Sequence, residues 1–419
     1  MQTHCLHVQY IYYTYMLSLY IHIPFCAYKC KYCSFSVVQE EHLDDTQRAD
    51  LKSTYMKHLL EELEAYHTIH WSQQIKTIYI GWGTPLQIWK ENLYIIIDTI
   101  LEKRDCEFLE ELTVEFNPDP IPEVLGVMKE MSERYDKLYR LRYSIGIQTF
   151  NDTILKDTKR QYTFESVQTF LRWLRDVKTH TTSFSLDFIA FGAEEADEHG
   201  YYLRNDEKLK FFQAVARSGI IDSYSLYTLE IYPWSEWWNE ANHELNADRK
   251  AQSTYGDEEW IIDEFEGLRK MIEPLWYKRV EISTFAKMWK QSIHNTVYWN
   301  RGEYLWIGMW AASFVDGKRW KNTRSFQKYC NSETRVDQTS IEELSPKEAL
   351  REEAMLKLRT WWISSLEAYA ELLADDREDT MQELIQEQCV VLVWDSVQLT
   401  SRGYTLYTYI VQQLFTPPQ

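Results

Sequence analysis

Glycine is scarce in this chain: there are 13 in 419 residues, where ordinary usage of about 7% would give roughly 29. Tryptophan is in excess at 17, and the two counts together reach 30. Positive charge is also short, with 45 Lys and Arg against 64 Asp and Glu and a formal net charge of −19. Such a surface repels polyphosphate and anionic headgroups, so neither nucleic-acid binding nor docking on an anionic membrane is expected. The opening MQTHCLHVQYIYYTYMLSLYIHI is apolar and aromatic. It lacks a basic flank, a small-residue cleavage site and an apolar run long enough to span a bilayer, so no integral membrane segment is expected. Residues 1–15 read as an extension, with Met16 the expected natural start. Seven cysteines, three of them between Cys26 and Cys33, do not form the pattern of an extracellular disulfide framework in a chain this long, and a reducing cytoplasm fits better. Internal repeats and low-complexity segments are absent.

What is present is an alternation of short β-rich apolar runs with longer charged, helix-compatible stretches, the pattern of βα units around a parallel sheet. The expected strands are Ser18–Ile23, Lys76–Gly81, Glu111–Phe116, Arg142–Gln148, Ser183–Ile189 and Ser223–Ile231. Six such units suggest an α/β fold with an open or partial barrel, whose ligands gather at the carboxyl ends of the strands. The pattern breaks after about Pro233, so the expected division is a core at residues 16–232, a connecting segment at 233–344 and a helix-rich end at 345–419.

The strongest chemical signal is YIHIPFCAYKCKYCSF, in which Cys26, Cys30 and Cys33 follow the first strand as CxxxCxxC. Iron–sulfur clusters are held by cysteine thiolates, usually four, so three would leave one iron open to a ligand. Zinc prefers a closed set of four, and no second CxxC or HxxxH pair exists to complete one. A zinc loop or three unconnected buried thiols are the alternatives from the residues alone. Glu115 and Asp187 lie inside apolar strands, a costly placement unless each is paired or bound.

These residues resemble the radical S-adenosylmethionine superfamily. Over most of the chain, through YIHIPFC, IYIGWGTP, LTVEFNPDP, RYSIGIQTFND, SLDFI, EISTFAK, HNTVYW, NRGEYLWIG and LTSRGYTL, the sequence resembles the oxygen-independent coproporphyrinogen III oxidase family and its haem-chaperone branch. The resemblance implies a partial (β/α)6 TIM-like barrel with a C-terminal, mainly helical, winged-helix-like domain. It also implies a 4Fe-4S cluster on Cys26, Cys30 and Cys33, with S-adenosylmethionine on the unique iron, where reduction splits it to a 5′-deoxyadenosyl radical. Carried over position by position, Tyr32 packs beside the cluster and Tyr20 contacts S-adenosylmethionine. Trp82, Gly83 and Thr84 approach its amino group, Glu115 its polar groups, and Gln148, Arg160 and Asp187 its ribose or a second ligand. Tyr20 and Tyr32 could equally be ordinary packing residues.

Two features bear on activity. The oxidases proper have a fourth cysteine two residues after the third, whereas Cys33 is followed by Ser34 and Phe35. HNTVYW, residues 294–299, matches an element implicated in haem handling in the chaperone branch, with His294 as the implied iron ligand; the alternative is a core histidine. The expectation is a haem chaperone that delivers haem to an acceptor protein and takes electrons from a flavodoxin or ferredoxin. The alternatives are an oxidase decarboxylating the propionates of coproporphyrinogen III and a radical enzyme with another substrate.

GWGTP, residues 81–85, departs from the GGGTP of the family, with Trp82 where a glycine lets backbone approach the ligand. Trp234, Trp276, Trp289, Trp306, Trp310 and Trp362 also stand where the family has glycine. Two readings account for this: a source that reads UGA as glycine, or a homologue whose site has been filled.

Overall fold

The computed structural model describes residues 16–69, 74–103, 106–192, 206–239, 258–331, 335–360, 363–364, 378–394 and 396–415. The expected extension at residues 1–15 and Trp362 lie outside them.

Six strands form the centre: β1 (Met16–Ile23), β2 (Gln74–Trp82), β3 (Glu111–Phe116), β4 (Leu141–Gln148), β5 (Thr182–Ala190) and β6 (Ser223–Thr228). They lie side by side in chain order, each parallel to the next. Parallel pairing requires a crossover after each strand. The crossovers carry helices α1 (Asp45–Ile69), α2 (Lys90–Lys103), α3 (Ile121–Arg134), α4 (Asp152–Asp157), α5 (Phe164–Val177) and α6 (Asp206–Arg217). Strands covered on both faces read as continuous apolar runs, and β1 is buried over seven of its eight residues. The α5 helix shows how the outer layer attaches. Phe164, Val167, Phe170, Leu171, Leu174 and Val177 recur at helical spacing and are all buried, while Thr163 caps the first turn by accepting from the Ser166 amide.

Between Tyr232 and Glu343 the described residues do not start a new core. After α7 (Glu258–Ile272), strands β7 (Lys278–Arg279) and β8 (Thr284–Ala286) extend the sheet antiparallel beyond β6. The chain then crosses through α8 (Ile293–Trp299) to β9 (Tyr304–Ile307), which pairs parallel with β1 at the opposite edge. Three further antiparallel strands, β10 (Ala312–Val315), β11 (Lys318–Asn322) and β12 (Val336–Glu343), complete a sheet of twelve strands. One apolar core includes Leu19, Val114 and Leu186 as well as Phe285, Ile307 and Tyr329. The change of sequence pattern near Tyr232 therefore marks a change from crossover units to edge strands rather than a break in the core.

A second core forms around Leu358, Val390, Val397, Ile410 and Leu414. Its helices include α9 (Pro346–Thr360), α10 (Glu378–Gln386) and α11 (Tyr407–Phe415). They pack with a three-stranded antiparallel sheet made by 363–364, 390–393 and 396–399. Arg359 joins the two cores by donating to Glu281 at 2.8 Å.

Candidate functional site

A cavity of about 1210 Å³ opens where the parallel strands end. Its walls are the cysteine loop, the turn after β2, and the ends of β3, β4 and β5. Tyr404 and Tyr407 from the carboxyl-terminal core close one side. The structure brings eleven of the residues singled out in the sequence to this cavity: Cys26, Cys30, Cys33, Tyr32, Trp82, Gly83, Thr84, Glu115, Gln148, Arg160 and Asp187.

The turn after β2 is fixed by backbone. The Gly83 amide donates to Ile23 O and the Thr84 amide to Phe25 O, both at 2.9 Å, which lashes GWGTP to the chain leading into the cysteine loop. A Cβ at Gly83 would lie 2.6 Å from Phe25 O and 2.7 Å from Ile23 O, so only glycine fits. Glu115 orders the other side of the turn. Its carboxylate accepts from the Trp82 amide at 2.9 Å and the Tyr79 hydroxyl at 2.6 Å. That carboxylate occupies the space a Cβ at Gly81 would need. Burial raises the pKa values of Glu115 and Asp187 above the ordinary carboxylate range. Gln148 reaches the cavity through a register shift between β4 and β5, with a positive φ of 66°. Such bulges re-aim side chains beside sites.

The three thiols share one loop, whose turn is closed by the Cys33 amide donating to Cys30 O at 3.0 Å. None of them is in a disulfide. Burial pushes the Cys26 thiol up to about 12 and raises Cys33 as well, so deprotonation must come with metal binding. Among the described residues, no His, Cys, Asp or Glu side chains converge as the ligands of a single ion would.

One residue of this constellation was missed from the sequence. Asn117, just beyond β3, accepts from Arg160 Nη1 at 2.7 Å and donates to Thr84 Oγ1 at 3.0 Å. Arg160 Nη2 in turn donates to the Tyr32 hydroxyl at 2.6 Å. The available signal was its place in EFNPDP immediately after a strand end.

Two expected residues do not line the cavity. Tyr20 is buried and stacks on Trp306 with ring centroids 4.1 Å apart. His294 is fully buried, with Nδ1 at 2.7 Å from Thr77 Oγ1 and Nε2 at 2.6 Å from the Tyr298 hydroxyl. The neighbouring bonds fix the direction of this chain. Trp306 Nε1 donates to Tyr298, and Thr77 donates to Ser18, so Tyr298 donates to Nε2 and the proton of His294 sits on Nδ1. Burial, with the nearby Arg142 charge, lowers the pKa of His294 to about 3. In this arrangement it is a neutral core histidine with both nitrogens engaged.

Comparison with known proteins agrees with this architecture. The radical SAM superfamily model matches residues 20–200. The haem chaperone HemW of Lactococcus lactis is 27% identical, with 93% of this chain and 94% of the relative covered. HemW of Bacillus subtilis is 28% identical over 93% and 97%. Among solved structures, the coproporphyrinogen III oxidase HemN from Escherichia coli, a radical SAM enzyme, superposes with a TM-score of 0.73 at 17% identity, covering 99% of this chain and 94% of its own. The chain thus contains a radical SAM domain, set within a body of the HemN fold.

Proposed function

We propose that this protein is a haem chaperone built on a radical SAM domain. It would hold a 4Fe-4S cluster on Cys26, Cys30 and Cys33, and S-adenosylmethionine against Gly83, Thr84, Glu115, Gln148, Arg160 and Asp187. It would then pass haem to an acceptor protein. The observation that carries the chaperone reading is the nearly full-length likeness to HemW, joined to Ser34 and Phe35 following Cys33 where an oxidase has its fourth cysteine. The fold shared with HemN relates the chain to the oxidase without assigning it that activity.

The residues present suit these groups. The three thiols are the donor type a cluster takes, and the cavity exceeds the roughly 300–1,000 Å³ usual for one small ligand, leaving space for a second beside S-adenosylmethionine. When bound, the cluster supplies an electron to the sulfonium of S-adenosylmethionine. Arg160 and Asn117 tie Tyr32 on the cysteine loop to Thr84 on the turn, so the two walls that hold these groups are set together. Ligation of haem iron by His294 would require Nε2 to leave Tyr298. The electron donor would be a flavodoxin or ferredoxin, and the site of action the cytoplasm. Among the described residues no helix is long and apolar enough to cross a membrane.

The test is anaerobic reconstitution followed by parallel assays. Stoichiometric haem binding, read by its absorbance, without consumption of coproporphyrinogen III supports the chaperone. Many turnovers to protoporphyrinogen IX would replace it with the oxidase.

A further inference from the structure

Among the described residues, twelve other than glycine have positive φ, and seven of these are tryptophan: Trp82, Trp89, Trp234, Trp276, Trp289, Trp310 and Trp394. Positive φ is uncommon outside glycine, and where it occurs Asn, Asp and His are the enriched types, whereas a bulky residue there is an outlier. Tryptophan is only 17 residues of 419, so chance does not place it at most of these positions.

At four of these positions the surrounding chain geometry also asks for glycine. Tyr232-Pro233-Trp234-Ser235 closes with the Ser235 amide donating to Tyr232 O at 3.2 Å. Proline second and a φ of 76° third are the signature of a type II turn, whose third residue is glycine. Trp276 ends the helical turn Glu273–Leu275 at φ 72°, ψ 12°, the left-handed cap that glycine supplies. Trp89 follows Pro85–Ile88 at φ 68°, ψ 148°, at the edge of a region that essentially only glycine occupies. Trp394 stands first in the two-residue link between the paired Val393 and Ser396, where the favoured hairpin turns need positive φ.

The side chains gain little to offset the strain: Lys52 Nζ lies over the Trp89 ring at 4.8 Å, and the Arg324 guanidinium over Trp310 at 4.7 Å and Trp234 at 5.6 Å, contacts worth about 0.5–1 kcal/mol at exposed sites. The indoles of Trp234, Trp276, Trp289 and Trp394 are 69%, 79%, 73% and 96% exposed. In the cavity wall, Trp82 stacks on Phe35 at 4.0 Å and meets His22 at 4.6 Å and Trp310 at 5.4 Å. There its buried Nε1 has no hydrogen-bond partner, and neither ring nitrogen of the buried His22 has one.

We propose that residues 82, 89, 234, 276, 289, 310 and 394 are glycine in the protein as its own cell makes it, with UGA read there as glycine. The cavity is then open beside the cysteine loop where the Trp82 indole now stands, packed against Trp310. A homologue with a deliberately filled site would account for 82 and 310, but not for exposed turns at 276, 289 and 394. The backbone criterion thus keeps five of the positions marked by the sequence, adds 89 and 394, and places no demand at Trp306, which lies within β9. Trp299 and Trp320 are different. Trp299 ends α8 beneath the Arg359 guanidinium at 4.4 Å, and Trp320 Nε1 donates to the Tyr66 hydroxyl at 3.1 Å. Neither has a positive φ, and both stay tryptophan under this proposal.

Only the consequence for the cavity rests on the cofactor reading above, and the test separates the two. The coding DNA and peptide masses of the protein purified from its source are read at all nine positions. Expected are UGA and glycine at the seven, with UGG and tryptophan at 299 and 320. UGG, or a native tryptophan peptide, at the seven overturns the proposal. Two reconstituted recombinant chains, one as written and one with all seven changed to glycine, are then compared. The glycine chain should melt several degrees higher and gain S-adenosylmethionine binding that the other lacks. A melting temperature that does not rise contradicts the conformational argument. Glycine in the native peptides with no S-adenosylmethionine binding would leave the assignment standing and remove the cofactor reading.

Discussion

The carboxylate of Glu111, the first residue of β3, accepts the backbone amide of His294 at 3.1 Å. The same carboxylate accepts from the Ile293 amide and the Ser292 hydroxyl, both at 3.1 Å, and faces Arg140 Nη1 at 3.4 Å. It thereby serves as an anionic cap for the helix that carries HNTVYW, where free amides and the helix dipole favour negative charge. Glu111→Ala leaves these amides without their acceptor and removes the charged partner of the largely buried Arg140, which keeps only the Gln291 and Trp289 carbonyls. Loss of one member of a buried pair costs about 3–5 kcal/mol, so the variant should unfold at markedly lower denaturant concentration. Glu111→Gln, which keeps an acceptor, should lose less. Equal, small losses in both variants would show that Glu111 does not hold this helix.

Cys30→Ala should abolish cluster retention while leaving the fold in place, because Cys30 itself lies in no strand, between the paired segments Phe25–Cys26 and Val38–Gln39. Iron and sulfide content with electron paramagnetic resonance after anaerobic reconstitution reports the first, and circular dichroism the second. A full cluster in the variant would remove the triplet from the metal site.

The parts of this architecture that were legible in the sequence are those where one residue type dominates the physics. Runs such as LSLYIHI and LRYSIGIQ could only be strands buried on both faces, and their observed bounds differ from the expected ones by a residue or two, Ser223–Thr228 being shorter at its end. Three thiols on one loop and Glu115 within an apolar strand likewise declared themselves. The positions of Tyr20 and His294 did not. In β1 nearly every residue is buried, so alternation carries no information about which side chain reaches the cavity and which packs inside. His294 sits on a short helix whose direction is set by Glu111, 183 residues away, and no local pattern encodes such a contact. The positive φ of Gln148 arises from a register shift with β5, again a property of the pair of strands and not of either one.

Glu62 should make stability fall as pH rises through the weakly acidic range. It is buried on α1, where it accepts from the Gly308 amide at 3.0 Å and from Asn322 Nδ2 and the Tyr329 hydroxyl, both at 2.6 Å. Burial nevertheless raises its pKa to about 7. The folded state therefore holds this proton more tightly than the unfolded chain. The stabilisation is complete below about pH 4.5, the ordinary glutamate value, and is lost as pH climbs to about 7. Relative to Glu62→Gln, which cannot titrate, the unaltered protein should lose on the order of 3 kcal/mol across this window. Denaturant unfolding of both proteins at several pH values gives the difference, and a constant difference would rule out Glu62 as the titrating group.

Tyr298 offers a direct examination of His294 as a haem ligand. Its hydroxyl donates to His294 Nε2 and accepts from Trp306 Nε1 at 2.8 Å, so the lone pair that iron would take is already committed. Tyr298→Phe removes that donor while keeping the ring, and leaves Nε2 buried without a partner, a state that favours a new ligand. If His294 ligates iron, haem should bind more tightly to Tyr298→Phe and less tightly to His294→Ala than to the unaltered protein, by about tenfold or more in each direction for a change of roughly 1.4 kcal/mol. The Soret band should shift with the loss of the imidazole only in His294→Ala. Weakened binding in both variants, with an unshifted Soret band, would confine the pair to the core network that runs from Trp306 to Ser18.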